Sequence, residues 1–140
     1  METTHRVGGV RIVSASIERE YDNDSDPKDY LEQYSLDDPD PEIAGYAKAD
    51  AERLEAWKND VWSFEGIYAR VFFEGDDGWK MEVRSLGLWG IESDSDDAYF
   101  AEVAAEEAEQ LVEDLKGCRT LGPGVVAEVD RMLGAAVANL

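Results

Sequence analysis

The chain holds a single cysteine, Cys118, and a single histidine, His5, in 140 residues. One thiol cannot close an intrachain disulfide, which fits a reducing compartment. One imidazole, in an N-terminal stretch expected to fray, gives no support to a Ser-His or Cys-His nucleophile or to a His-rich zinc set. Bases are scarce as well: 13 Lys and Arg stand against 33 Asp and Glu, a formal net charge of −20. Such a chain repels DNA, RNA and anionic membranes, and it steers basic partners toward itself. No apolar run approaches the roughly 18 residues that cross a bilayer, and the opening METTHRVGG lacks a signal-type apolar core. The expected location is therefore the cytoplasm. The sequence also has no Walker loop, no dinucleotide fingerprint and no Cys-x-x-Cys pair. Neither an enzymatic activity nor a cofactor is expected.

What is present in quantity is apolar and aromatic material. A hydrophobic fraction of 44%, with four Trp, six Tyr and four Phe, is enough for a packed core. Residues 1–140 are read as a single domain. Charge is organised into two blocks. Glu20 to Glu42 holds ten acids and one base, Lys28; Glu92 to Asp114 holds ten acids and no base. The remainder of the chain is nearly balanced.

The apolar spacing places the elements. Val10, Ile12, Val13 and Ile17 mark a first strand over 7–17 with imperfect alternation. The stretch EREYDNDSDPKDYLEQYSLDDPDPE, about residues 20–42 with its flanks, reads as a long acidic loop with a short helical turn near Tyr30 to Tyr34. It lacks a continuous apolar stripe and repels itself, so it is expected to be mobile. Pro41 suits the first turn of a helix reaching Asn59, with Lys48, Arg53 and Lys58 balancing its acids.

The strongest local signal is a hairpin over about 61–89. Ile67, Ala69, Val71 and Phe73 alternate with Tyr68, Arg70 and Phe72; beyond the turn EGDDG, Trp79, Met81 and Val83 alternate with Lys80, Glu82 and Arg84. Gly66 and Gly87 are expected at bulges. Ser93, Asp94, Ser95 or Asp96 can cap a helix carrying Ala101, Ala104, Ala108, Leu111 and Leu115 on one stripe, widened by Phe100, Val103 and Val112, with Gly117 as its stop. Pro123 opens a last helix through Val125, Val129, Leu133 and Val137. The fold class is α+β: a small antiparallel sheet packed against two or three helices, with a long acidic loop.

Two motifs fail on inspection. Asp22, Asp24 and Asp26 stand at positions 1, 3 and 5 of a calcium loop, but Pro27 and Gln33 replace the Gly and the bidentate Glu that such loops require. Weak divalent association is all that remains of that reading. Asp114-Leu115-Lys116 matches half of a nuclease motif, yet it falls in a helix and on a surface that repels phosphate.

The acidic helix carries the functional expectation. Glu102, Glu106, Glu109 and Glu113 recur at i, i+4, i+7 and i+11 and so share one face, broadened by Glu107 and Asp114. Four residues of helix rise about 6 Å, similar to the spacing of neighbouring phosphates along a strand. The expected function is therefore nucleic-acid mimicry: binding a basic nucleic-acid-handling protein and blocking its groove, as anti-CRISPR or anti-restriction inhibitors do. Expected partner-facing residues are Glu92, Asp94, Asp96, Asp97, Glu102, Glu106, Glu109 and Glu113 from the second block. The first block adds Asp22, Asp24, Asp26, Asp37, Asp38 and Asp40. The alternative is an accessory protein whose acidity serves only solubility. A homodimer, if formed, would use the hairpin face of Tyr68, Phe72, Lys80, Glu82 and Arg84, the least negative surface.

The segment GLWGIESDSDDAYFAEVAAEE, with WSFEGIYARV upstream, resembles a group of small uncharacterised acidic proteins of actinobacteria and their phages or plasmids. Gly87 to Glu92, Asp94, Ser95, Asp96 and Tyr99 carry the likeness. It implies a mobile-element setting and no mechanism. Leu88, Trp89 and Ile91 are read as core anchors of the strand end, with an exposed role for Trp89 as the other possibility.

Overall fold

The computed structural model describes residues 5–7 and 9–140. In chain order its elements are β1 (His5–Val7), β2 (Val10–Tyr21), α1 (Lys28–Leu31), α2 (Pro41–Lys58) and β3 (Phe64–Gly75). Then follow β4 (Lys80–Arg84), β5 (Leu88–Glu92), α3 (Asp97–Lys116) and α4 (Pro123–Ala138). This is the expected α+β architecture. The Met-Glu-Thr-Thr start lies outside the described residues, but His5, expected in a frayed stretch, pairs with Ile12 in β1.

Strand β3 organises the sheet because its apolar positions run unbroken along one face. Ile67, Ala69, Val71 and Phe73 are fully buried there; on the other face Arg70 and Phe72 are half-buried and Tyr68 is buried as well. β2 runs antiparallel to it from Val10↔Gly75 to Tyr21↔Glu65, with a bulge between Ile12 and Ser14. That bulge is the reason the alternation of β2 looked imperfect: after it, Ala15 and Ile17 return to the core side. The hairpin turn closes through Gly75 N–H to Trp79 O at 2.9 Å and Gly78 N–H to Gly75 O at 3.0 Å, with Gly78 at φ +89. Only glycine adopts that conformation without strain.

β4 and β5 both pair with β3, on the edge away from β2. They are one strand interrupted at Ser85–Gly87. Ser85 holds the break in place: its N–H donates to Ala69 O and its hydroxyl accepts from Ala69 N–H, both at 2.9 Å. Gly87 turns the chain at φ +85, and the register shifts at Gly66, as expected of both glycines.

One face of the sheet is covered by α3 and α4. Asp96 caps α3, its side chain accepting from Tyr99 N–H at 2.7 Å. The stripe of α3 buries Phe100, Val103, Ala104, Ala108, Leu111, Val112 and Leu115. From α4, Val125, Val126, Val129 and Leu133 complete the layer. α2 sits elsewhere. With α1 it forms a separate small cluster of Leu31, Leu54, Trp62 and Phe64 at the start of β3. Ala47 and Leu54 are the buried positions of α2, while Tyr46 is 50% exposed. No described helix is long and apolar enough to cross a membrane.

The acidic loop is the largest correction. Glu20 and Tyr21 belong to β2, and the helical turn is Lys28–Leu31 rather than Tyr30 to Tyr34. Its first half is anchored: Pro27 and Leu31 are buried despite the missing stripe, because single apolar residues suffice where a neighbouring cluster receives them.

Candidate partner-binding surface

The fold brings the two acidic blocks into contact at the start of α3. Gly90 N–H donates to Asp22 Oδ2 at 2.8 Å, and the Tyr30 hydroxyl donates to Glu92 Oε1 at 2.8 Å. Burial and that bond to Glu92 push the Tyr30 hydroxyl well above its ordinary pKa. Arg53 neutralises the junction. Its guanidinium grips Asp94 with two bonds, 2.6 and 2.8 Å, and reaches Glu92 at 2.9 Å. It also lies 3.8 Å above the Trp62 ring, while Trp62 Nε1–H donates to Arg53 O. A planar fork that binds two carboxylates and stacks on an indole is the geometry at which Arg has no substitute.

The expected partner-facing acids therefore divide. Asp22 is contradicted as a surface residue: it is 7% exposed and turned inward. Its carboxylate accepts from Asp24 N–H, Ser25 N–H, the Ser25 hydroxyl and Gly90 N–H. Burial pushes that carboxyl up, but the Ser25 hydroxyl and the three N–H groups outweigh it and hold it below the usual carboxylate range. Glu92 and Asp94 are committed to Arg53 and Asp96 to a helix cap. Asp26, Asp38 and Asp40 accept from Lys28, Asp40 and Glu42 N–H and shape the loop and the start of α2. Glu107 does not broaden the outer face; half-buried, it accepts from Gly87 N–H at 2.7 Å.

A different group points outward. Glu102, Glu106, Glu109 and Glu113 are exposed along α3, as are Asp97 at its start and Asp24 and Asp37 in the loop. Glu102 and Glu106 make no hydrogen bond or ion pair with any described residue. Glu113 is bonded to Lys116 at 2.8 Å, and the same lysine offers its charge to Glu109. Among the described residues no group of three His, Cys, Asp or Glu is placed to hold a metal ion.

Arg53 was missed as a site residue. In the sequence it reads as one of three bases balancing a helix, and pairing across about forty residues leaves no local trace. Asp22 did carry a signal: an Asp ending a strand ahead of Asn-Asp-Ser is the start of an Asx turn.

The Arg53–Asp94 pair yields a pH test. The Arg53 bond holds the Asp94 carboxyl below its ordinary pKa, so its contribution is complete above the unfolded value near pH 4 and is lost as pH falls through the folded one. Asp94→Asn is expected to lower the urea midpoint at about pH 6 and to cost less near pH 3. An equal deficit at both pH values would show that the charge pair is not what Asp94 supplies.

No family model, no curated protein and no solved structure matches this chain.

Proposed function

We propose that the chain is a non-catalytic binding protein whose α3 acid row occupies the phosphate-reading groove of a basic, nucleic-acid-handling protein. A nuclease of a CRISPR or restriction system is the partner of this chemistry, and a mobile element in a bacterial cytoplasm is the setting. One observation supports this most: neighbouring acids at the block junction are engaged in caps and ion pairs, whereas Glu102 and Glu106 project outward with no partner among the described residues. Like charges at i, i+4 cost a helix about 0.2–0.5 kcal/mol per pair. A row that destabilises its own helix and holds up no other part of the fold is accounted for by a partner that neutralises it.

Capture from a lysate of the natural host tests the reading. The expected catch is a basic nucleic-acid-binding protein, released as salt rises and by added duplex DNA or RNA. A partner held equally at low and high salt, and indifferent to nucleic acid, would contradict groove occupancy. The competing account, a solvated face kept for solubility, gives no specific catch at all.

A further inference from the structure

On the face of the sheet that carries Tyr68, opposite α3 and α4, the β5 end holds an aromatic ledge. Trp89 lies on the backbone of Gly66, where a Cβ would fall inside its indole ring, and it stacks on Tyr68 with centroids 6.2 Å apart. Its Nε1–H donates to Leu86 O at 3.1 Å. The ring is fixed in position, yet Trp89 remains 44% exposed, and Leu86 beside it is 91% exposed. Large apolar side chains held rigid and left in water are the usual anchors of protein interfaces.

The ring borders a groove of about 740 Å³ that also takes in Glu20, Tyr21, Asp24 and Ser25. Glu20 and Asp24 are exposed, and the groove wall is fixed by the Asp22–Gly90 bond. An indole face rimmed by carboxylates complements one chemistry closely: a guanidinium, which stacks on the ring and bonds the acids at its edge. We propose that this ledge is a docking site for an arginine side chain presented by a basic segment of the partner protein. The inference rests on the reading that the partner is basic, and it locates a second contact, on the opposite side of the sheet from α3. The bond from Gly87 N–H to Glu107 ties the ledge to the middle of α3.

The test uses the whole chain and a six-arginine peptide as probe, followed by the indole N–H signals in NMR. The Trp89 signal is identified by triple-resonance assignment of the parent chain. It is expected to shift saturably with peptide, and Trp89→Leu is expected to weaken peptide affinity about threefold, with Trp89→Phe in between. A Trp89 signal that stays still while peptide binds elsewhere on the acidic surface would overturn the proposal, and needs no variant to fold. So would a folded Trp89→Leu that binds the peptide as tightly as the parent. Either result leaves the α3 reading standing, because that reading is judged by partner affinity after changes confined to α3.

Discussion

Replacing Asp22 by Ala is expected to lower stability by about 2–4 kcal/mol, more than any other single acid in the chain. The reason is the number of donors that converge on one carboxylate. Asp24 N–H and Ser25 N–H at 2.9 and 3.2 Å, the Ser25 hydroxyl at 2.7 Å and Gly90 N–H at 2.8 Å all point at it. Ala leaves these donors without their acceptor in a place where Asp22 itself is 7% exposed. The Gly90 bond also ties the first acidic block to β5, the strand that leads into the second, so its loss releases the loop from β5. Asp22→Asn keeps an acceptor oxygen and is expected to cost less. Urea unfolding measures both, and hydrogen exchange at Gly90 reports the released contact. An Asp22→Ala protein as stable as the parent would show that the loop is held by Pro27 and Leu31 alone.

Gly66→Val is expected to cost about 2–3 kcal/mol, the upper range for overpacking. Gly66 is buried at a register shift of β3, and the atoms that a side chain would meet are those of the Trp89 ring. The ring is held at its other end by the bond to Leu86 O, so it cannot yield without losing that bond and its stack on Tyr68. Trp89 fluorescence is expected to redden as the indole leaves its seat. A double change, Gly66→Ala with Trp89→Leu, is expected to be less damaging than the sum of the single changes, because the clash needs both partners. Additive losses would locate the role of Gly66 in backbone geometry instead.

The elements were legible where one face is buried and the period is unbroken. β3 and α3 read directly because each buries a continuous stripe, and Asp96, Pro41 and Pro123 mark helix starts by local chemistry. What was not legible came from long-range pairing. Composition alone could not separate Asp22 and Asp94, which hold the fold together, from Glu102 and Glu106, which do not. That division depends on where Arg53 and Gly90 are brought in three dimensions. Trp89 was misplaced for a related reason. Apolar residues around a strand end read as core, but only Ile91 is buried, because Gly87 and Gly90, both at positive φ, set Trp89 on the face opposite α3 and α4. The bulge at Ile12–Ser14 and the break at Ser85–Gly87 blurred the ends of the strands in the same way.

The role of the outward row of α3 is measured most directly by calorimetric affinity for the captured partner, comparing the parent chain with the variant in which Glu102, Glu106, Glu109 and Glu113 are all changed to Gln. Gln keeps size and helix propensity, and relief of the i, i+4 repulsion is expected to hold the unfolding midpoint at or above that of the parent, even with the Lys116 bond to Glu113 lost. The predicted result is a fully folded variant whose affinity falls by at least about tenfold and whose remaining binding depends less on salt. A folded variant that binds and inhibits its partner as the parent does would contradict the reading of this helix as a nucleic-acid mimic.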